Sequence, residues 1–423
     1  MLRNSLSRLF RKSVSPAVPA AVDLDAFVAE SDRLGGPGHP DCEAYWRGFA
    51  LTPRTAVDQG LDPFGQAYCD QQLALYRELS GRSFDQSVNE HTHVDLARHV
   101  ASPNPYDHPD PSILANHVTR LSKAFRLAGL KRDGALLDMG AGWGLSSELG
   151  AYLGLQVTAV DINPLFVELI RARAGKSGLP IEAVASSFAD FEPQQAYDAV
   201  FFYECLHHAL KPWTLLEKLG THLSAEGCIV LAGEPINEIW WRHWGMRLDP
   251  LSLYCIRKYG WFETGWSMAF VRDMFIRAGF VPAVAEDSDG HVGPIVVARR
   301  SQMFSAADLL QNFVSSSASL DGDHLVFGEP LTLAVTFPEG KSTLVLTVEN
   351  FRPKPIAVAI TTGGKTQKLT LGRGPATLRL DQSSADGRRQ IVTIAPEFWK
   401  PAKELGTPDP RVLSFHIRAG TFE

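Results

Sequence analysis

The stretch from Leu136 to Asn163, LLDMGAGWGLSSELGAYLGLQVTAVDIN, decides the fold. An apolar run ends in a glycine-rich turn, a helical segment follows, and a second apolar run ends in an acidic residue. Gly140, Gly142 and Gly144 are spaced as GxGxG. Glycine has no Cβ and so lets a ligand approach the backbone, and the next helix offers unpaired N–H groups. The stretch therefore predicts a strand, a ligand-binding turn and a helix.

The acidic residue at the end of the second run indicates a nucleoside. Asp161 follows the turn by about 20 residues, where a carboxylate can accept hydrogen bonds from two ribose hydroxyls. A nicotinamide cofactor would require the longer spacing GxGxxG, with the start of the helix facing a pyrophosphate. Asp138, just before the glycines, would repel phosphate but suits a positively charged amino acid group. We therefore expect S-adenosyl-L-methionine.

The pattern along the chain divides it into four parts. Between Ala135 and Arg300 short apolar runs alternate with helical segments, which predicts an α/β fold with a mostly parallel sheet covered on both faces. Upstream, apolar spacings of three and four predict helices over 66–79 and 112–130. After Arg300 the period becomes two, which is typical of an antiparallel β-sandwich. The predicted parts are a basic flexible N-terminus (1–22), a helical cover (23–130), a cofactor-binding domain (131–315) and a β-sandwich (316–423).

These motifs resemble those of a known family. DMGAGWG followed by VDIN is similar to motif I and the acidic loop of the class I S-adenosylmethionine-dependent methyltransferases, and YDAVFFYECLHH resembles their fourth-strand motif. The resemblance covers about residues 135–300 and implies a Rossmann-like doubly wound sheet. It implies that S-adenosyl-L-methionine is bound by Asp138, Gly140, Ala141, Gly142, Trp143, Gly144, Asp161, Ile162, Tyr203 and Glu204. To these we add Ser187, Phe188 and Asp190 for the adenine.

One feature departs from the family pattern. Many members have an acidic residue after the third strand that binds the adenine amino group. Here the segment ASSFADF offers Ser186, Ser187 and Phe188, and Asp190 comes a little later. We expect a backbone N–H and stacking on Phe188 to hold the adenine, with Asp190 as the alternative.

The residues after the fourth strand are candidates for catalysis. Methyl transfer to a hydroxyl benefits from a base that removes its proton, and histidine suits that role near neutral pH. We predict His208 as the base, with His207, Glu204 and Glu234 as alternatives. The alternative for the histidines is structural, because an LHH sequence that shapes the loop occurs here in relatives with different acceptors. The alternative for Glu234 is that it caps the next helix. We assign no metal ligand.

An aromatic-rich insertion at 235–266 suggests the acceptor. Flat aromatic faces beside polar side chains suit a sugar, whose C–H face stacks while its hydroxyls need polar partners. A lid packed on the N-terminal helices would have the same composition. The predicted acceptor contacts are Trp240, Trp241, Arg242, His243, Trp244 and, from the cover, Tyr106.

The end of the chain favours the same acceptor. Residues 395–418, APEFWKPAKELGTPDPRVLSFHIR, resemble the closing segment of small β-domains attached to bacterial enzymes of cell-surface polysaccharide synthesis. We therefore predict O-methylation of a sugar hydroxyl in a surface polysaccharide or its precursor. Methylation of a small lipid, quinone or natural product is an alternative, and a non-catalytic cofactor-binding scaffold is another.

Composition limits the partners and the compartment. The net charge of −6 gives no reason to expect nucleic acid. The five cysteines lack paired spacing, which favours a reducing cytoplasm. No apolar run reaches the roughly 20 residues that span a bilayer. The basic start of the chain is compatible with peripheral contact at the inner membrane, with a transit peptide or with an inert tail.

Overall fold

A computed structural model describes residues 23–238, 241–287, 293–301, 303–338, 340–383 and 389–423. The N-terminal helices of this part are α1 (Leu24–Arg33), α2 (Pro40–Trp46), α3 (Gln66–Ser80), α4 (Gln86–Asn89), α5 (Leu96–Ala101) and α6 (Pro111–Ala128). Helices α3 and α6 confirm the two helices that the apolar spacing predicts. The sequence marks both ends of α6, because Asp110 caps its first turn and Gly129 ends it in the left-handed conformation. The basic N-terminus predicted at 1–22 lies outside the described residues.

A seven-stranded sheet forms the centre of the molecule. The elements of this region are β1 (Ala135–Met139), α7 (Leu145–Tyr152), β2 (Gln156–Asp161), α8 (Pro164–Ser177), β3 (Ile181–Ala185), β4 (Tyr197–Tyr203), α9 (Pro212–Gly220), β5 (Leu223–Ala232), β6 (Trp244–Met246), α10 (Pro250–Tyr259), β7 (Thr264–Trp266), α11 (Met268–Arg277), β8 (Phe280–Ala285) and β9 (Ile295–Arg300). The sheet order is β3-β2-β1-β4-β5-β9-β8. Strand β9 runs antiparallel to both of its neighbours, and the other pairings are parallel. The predicted mostly parallel sheet is thus confirmed.

Helices cover both faces of this sheet because its inner strands are apolar on both sides. On β4, Phe201 stacks on Phe125 of α6, with 4.9 Å between the ring centroids. The next residue, Phe202, belongs to the opposite apolar cluster, which also contains Trp213 and Phe270. Alternate residues of a strand point to opposite faces, so β4 contributes to both layers of the core.

The insertion and the N-terminal helices pack into one body. Strands β6 and β7 form an antiparallel pair, and Tyr68 on α3 donates its hydroxyl to the Trp244 carbonyl at 2.6 Å. Arg257 on α10 pairs with Asp25 on α1. These contacts between residues far apart in sequence hold the insertion against the N-terminal helices.

The C-terminal region consists of two antiparallel sheets. Its elements are β10 (Met303–Ser305), α12 (Ala306–Asn312), β11 (Ser319–Asp321), β12 (His324–Val326), β13 (Leu331–Val335), β14 (Thr343–Asn350), β15 (Ile356–Thr362), β16 (Lys365–Leu371), β17 (Gly374–Asp381), β18 (Gln390–Pro396), α13 (Pro401–Glu404) and β19 (His416–Phe422). One sheet has the order β11-β12-β19-β14-β17 with β10 on β19, and the other has β13-β18-β15-β16. Their apolar side chains share one cluster. The antiparallel, β-rich region predicted from the alternation is present.

The central and C-terminal regions share part of their core. Ile276 on α11 and Val281 on β8 belong to the C-terminal apolar cluster. Thr336 donates its hydroxyl to Asp273 on α11 at 2.7 Å. Strand β10 pairs with β19, so the C-terminal sheets include residues that precede the boundary predicted at 315. Among the helices described, none has both the length and the apolar character needed to cross a membrane.

Candidate active site

A cavity of about 390 Å³ lies at the carboxyl ends of β1, β2 and β4. Its volume falls in the range of small-molecule sites. It is the place where ligands bind in open α/β sheets. Of the predicted residues, those that line it are Gly140, Ala141, Gly142, Trp143, Asp161, Ile162, Ser187, Phe188, Tyr203, Glu204, His208 and Tyr106.

The glycine turn after β1 needs glycine at each predicted position. Gly140, Gly142 and Gly144 have φ values of 67°, 50° and 83°, in the left-handed region. A Cβ on Gly140 would come within 2.7 Å of the Cys205 Cβ, and one on Gly144 within 2.8 Å of Ile170. Gly144 therefore serves packing, whereas Gly140 and Gly142 form part of the cavity wall.

Asp138 lies buried behind this turn. Its Oδ2 accepts hydrogen bonds from the hydroxyls of Ser146 (2.7 Å) and Ser147 (2.5 Å), while Oδ1 has no partner. Burial raises the pKa of Asp138 to about 6. A buried acceptor without a donor fits the ammonium group of a methionine moiety, reached directly or through a water molecule.

Asp161 ends β2 at the wall of the cavity. Its Oδ2 accepts from the Gly142 N–H and its Oδ1 from the Asn163 N–H, both at 2.8 Å. Burial raises the pKa of Asp161 to about 6, although these hydrogen bonds oppose the shift. Each carboxylate oxygen has a further lone pair. The residue therefore retains acceptor capacity for two ribose hydroxyls, and its assignment to the ribose stays a prediction.

The segment after β3, which departs from the family pattern, contributes to the cavity where we predict the adenine. Ile162, Ser186, Ser187 and Phe188 line the cavity, and Phe188 packs edge-on against Phe202. Asp190 is not among the lining residues, since its carboxylate accepts a hydrogen bond from the Ser187 hydroxyl at 2.6 Å. Asp190 thus lies outside the cavity wall.

Tyr203 and Glu204 join the cavity to helix α6. His117 Nδ1 shares a hydrogen bond of 2.5 Å with the Tyr203 hydroxyl, and Arg120 donates to Glu204 Oε1 at 3.1 Å. Glu204 has a φ of 54°, which is uncommon for a residue with a Cβ. Burial raises the pKa of Glu204 to about 7, and Arg120 opposes this shift. Sequence analysis missed His117 and Arg120; their three-residue spacing on one helical face was the available signal.

His208 lies where the cover and the insertion meet. Its Nδ1 is 3.3 Å from Glu90 Oε2, and its carbonyl accepts from the Gln86 side chain at 2.7 Å. Glu90 also accepts the Phe262 N–H at 2.9 Å, which links the cover to the insertion. Glu90, Gln86 and Trp261 line the cavity themselves. This wall was not predicted as a set, because its members are distant in sequence.

His207 has a different environment from its neighbour. Its Nδ1 is 2.8 Å from Glu234 Oε2, and its Nε2 is 3.3 Å from Glu263 Oε2. Glu234 also accepts the backbone N–H groups of Cys205 and Leu206, and it is completely buried. Neither His207 nor Glu234 lines the cavity; together they hold the loop that carries His208. The helix-cap alternative for Glu234 therefore has no support in its contacts.

The charges of this loop follow from its contacts. Burial favours neutral His207, but Glu234 and Glu263 outweigh that effect and raise the pKa of His207 to about 9. Burial likewise opposes ionisation of Glu234, yet His207 and the backbone N–H groups hold its pKa below the usual value. Among the described residues, His207, His208 and Glu263 place possible metal-ligand atoms within 4.8 Å. Because both nitrogens of His207 already face carboxylates, this geometry is that of an ion-pair network.

Of the aromatic platform predicted at 240–244, the residues that the structure describes, 241–244, do not line the cavity. Trp244 is 1% exposed, and its Nε1 donates to the Pro63 carbonyl at 2.8 Å. The predicted acceptor contact is wrong for this residue, because its ring belongs to the core between α3 and the insertion. Trp241, Arg242 and His243 do not line the cavity, and Trp240 lies outside the described residues. The insertion instead contributes Trp261.

The strand order with an antiparallel β9, the glycine turn and the acidic residue after β2 define a class I methyltransferase fold with a nucleoside site. The comparisons agree: residues 137–231 match a family model described as a methyltransferase domain. The central region of the chain is an S-adenosylmethionine-dependent methyltransferase domain.

Several known proteins are similar to this chain. A ubiquinone biosynthesis O-methyltransferase of Xanthomonas axonopodis pv. citri (strain 306) is 34% identical over 129 residues, which are 30% of this chain and 53% of the relative. One of Methylocella silvestris (strain DSM 15510 / CIP 108128 / LMG 27833 / NCIMB 13906 / BL2) is 38% identical over 100 residues, 21% of this chain and 39% of the relative. The chain thus spans about half of the first relative, and less of the second. A solved structure of magnesium protoporphyrin IX methyltransferase from Synechocystis PCC 6803 with bound SAH has 17% identity, a TM-score of 0.36, and coverage of 49% of this chain and 94% of that chain.

Proposed function

We propose that this protein is an O-methyltransferase that transfers the methyl group of S-adenosylmethionine to a sugar hydroxyl, in a bacterial surface polysaccharide or its precursor. The observation that carries the proposal is His208 at the cofactor cavity, with Glu90 Oε2 3.3 Å from its Nδ1. This contact is an ion-pair distance without the geometry of a hydrogen bond, because Nδ1 of His208 has no hydrogen-bond partner. A carboxylate this close to one ring nitrogen can pair with the imidazolium that forms when the other nitrogen accepts a proton, which is the part a general base would play.

The residues divide the work as follows. S-adenosylmethionine, when bound, supplies an electrophilic methyl group, whose bond to sulfur breaks to leave S-adenosylhomocysteine. Asp161 would hold the ribose, and Asp138 would face the ammonium group. His208 takes the proton of the acceptor hydroxyl as the new carbon–oxygen bond forms, and Glu90 stabilises the resulting imidazolium. His207 and Glu234 position this base through the loop without contacting the reactants.

The wall beside His208 favours a polar acceptor. Gln86, Glu90 and Thr92 line it from the cover, and Trp261 lines it from the insertion. The Nε1 donor of Trp261 is buried and has no hydrogen-bond partner. One aromatic ring among carboxylate, amide and hydroxyl groups suits a sugar. The resemblance of residues 395–418 to β-domains of polysaccharide enzymes supports the same acceptor class.

A phenolic hydroxyl is the second candidate acceptor. It is favoured by the names of the relatives, which are ubiquinone biosynthesis O-methyltransferases. The matched residues make up 30% and 21% of this chain. His208 could act as the base for a phenol as well as for a sugar. The choice between these two acceptors therefore depends on the cavity wall formed by Gln86, Glu90, Thr92 and Trp261.

The test is a methyltransferase assay with two acceptor panels. Purified full-length protein and S-adenosylmethionine are incubated with nucleotide-linked and lipid-linked sugars or with catechols, and products are analysed by mass spectrometry. We expect a methyl ether on a sugar. Exclusive methylation of a catechol would refute the sugar proposal, and methylation on nitrogen or carbon would refute O-methylation.

Variants of histidine test the base. His208→Ala should lower turnover by about 10² or more while the affinity for S-adenosylhomocysteine is retained. The control is His222→Ala, because His222 immediately precedes β5 and does not line the cavity. Near-normal turnover of His208→Ala would remove this residue from catalysis and leave Glu204 as the remaining candidate in the cavity.

A further inference from the structure

A second cavity, of about 500 Å³, lies at the junction of the central sheet and the C-terminal sheets. Its wall includes Phe280 at the start of β8 and Arg300 at the end of β9, which face each other in the sheet. Since β8 runs parallel to β5, this is the amino-terminal edge of the sheet. The cofactor cavity is at the opposite, carboxyl edge, so the two cavities are separate sites.

Basic side chains from three segments converge on this cavity. Arg277 ends α11, Arg300 ends β9, and Lys341 lies between β13 and β14. Glu217 is the only acidic residue among the described lining residues. In the described part of the chain neither Arg300 nor Lys341 forms an ion pair. Like charges on Arg300 and Lys341 at one cavity repel each other, and a bound anion removes that cost.

The rest of the wall is apolar. Ile276, Phe304 and Phe422 contribute to it from α11, β10 and β19. The Arg300 guanidinium lies 5.5 Å from the centre of the Phe280 ring, which restrains its plane. A planar guanidinium and an ammonium group are the residue types that bind phosphate oxygens. The apolar wall offers contact to an organic part, which a free inorganic anion lacks.

We propose that this junction cavity binds an organic phosphate, with the phosphate oxygens on Arg300 and Lys341 and the organic moiety against the apolar wall. Because Lys341 belongs to the C-terminal region and Arg300 to the central sheet, the ligand would contact both. The proposal does not depend on the identity of the methyl acceptor. It gives the C-terminal region a part in ligand binding as well as a structural one.

The experiment measures binding by calorimetry with the full chain. S-adenosylhomocysteine is kept saturating, so that the cofactor cavity is filled. The probes are uridine diphosphate, inorganic pyrophosphate and uridine. We expect uridine diphosphate to bind several-fold more tightly than pyrophosphate, uridine to show no binding, and the affinity for uridine diphosphate to fall as salt is raised.

Charge-matched variants locate the site. Arg300→Gln with Lys341→Gln should weaken uridine diphosphate binding by about tenfold or more, the lower end for lost hydrogen bonds to charged groups. The control is Arg373→Gln with Lys365→Gln, which removes the same charge from exposed positions of the C-terminal region that do not line the cavity. If the double variant does not fold, Arg300→Lys provides a second test, because it keeps the positive charge and changes only the planar guanidinium group.

Three results would overturn the proposal. One is no detectable binding of uridine diphosphate to the unmodified chain at millimolar concentration. Another is equal binding of pyrophosphate and uridine diphosphate, which would mean a simple anion site without an organic subsite. The third is an equal loss in the control double variant, which would mean that overall charge, and not this cavity, determines binding. None of these readouts involves methyl transfer, so failure here is distinct from failure of the proposed function.

Discussion

Replacing Asp161 by Ala separates ligand binding from folding at the cofactor cavity. The carboxylate accepts the backbone N–H groups of Gly142 and Asn163, each at 2.8 Å. Losing these hydrogen bonds costs about 1 kcal/mol each. Burial, however, raises the pKa of Asp161 to about 6 from a reference value of 3.8. That shift corresponds to a cost of about 3 kcal/mol for keeping the group ionised at neutral pH.

That shift already includes the opposing effect of the two hydrogen bonds, so in the cofactor-free protein Asp161→Ala removes the cost of an ionised buried carboxylate and leaves two N–H groups without their acceptor. A folded-state pKa above the unfolded value means that the ionised group destabilises the fold, and the effect develops as pH rises from about 4 through 6. We therefore expect Asp161→Ala to change the free energy of unfolding by no more than about 2 kcal/mol at pH 7. Cofactor binding has no such compensation. The lost ribose contacts to a charged group should weaken it by about 1.5 to 3 kcal/mol, or about 10- to 150-fold in Kd.

Calorimetry with S-adenosylhomocysteine measures the affinity, and urea denaturation measures the stability. Asp190→Asn is the matched control, because Asp190 carries a carboxylate beside the adenine end but does not line the cavity. Its Kd should stay within about threefold, well below the effect of one lost charged hydrogen bond. An unchanged Kd in Asp161→Ala, or an equal loss in Asp190→Asn, would refute the assignment of Asp161 to the ribose.

Three further predictions concern the insertion, the buried loop and the C-terminal region. Trp244→Ala should lower the free energy of unfolding by about 3 to 5 kcal/mol, because it leaves a cavity in the core. Trp261→Ala should instead raise the KM for the acceptor and lower the melting temperature by only a few degrees. The reverse pattern would mean that Trp244, as the sequence predicted, contacts the acceptor. The pKa of His207 is raised to about 9, so its stabilising ion pairs are fully present below about pH 6.5 and are lost as pH rises through 9. Denaturation curves measured between these two pH values should show the free energy of unfolding falling as pH rises. A flat profile would contradict the buried ion pair. A fragment ending at residue 301 should keep its Kd for S-adenosylhomocysteine but melt lower, because Ile276 and Val281 lose their cover; an unchanged melting temperature would show that the C-terminal sheets do not support the domain.

The cofactor half of the cavity could be predicted from sequence because it is local. Gly140, Gly142 and Asp161 fall within one strand-helix-strand unit, where spacing fixes geometry. The acceptor wall could not be predicted in the same way, since Glu90 and Trp261 meet only through tertiary packing. Spacing does not reveal which segments of the cover and the insertion will come together.

Composition alone also failed to separate buried from exposed rings. Trp244 and Trp261 belong to the same aromatic-rich insertion, yet one is core and the other lines the cavity. Likewise, His207 and His208 are adjacent and their ring centroids are 4.3 Å apart, yet their Nδ1 atoms face different carboxylates, Glu234 and Glu90. Nothing in the sequence indicates the positive φ of Glu204. These features depend on which groups are available to pack or pair nearby, and that is settled by the whole fold.

The cover over the cofactor cavity is fastened to the central domain by polar contacts. Arg173 on α8 donates to the carbonyls of His99 and Ser102 at 2.9 and 2.7 Å, and it pairs with Glu148. The Asn163 side chain donates to the carbonyl of Thr92 at 2.7 Å. Any lifting of the cover would have to break these contacts, and lid opening often limits an enzyme's turnover. Shortening Arg173 would remove two of them at once, so ligand exchange at the cavity would depend on a residue of α8 that does not itself line the cavity.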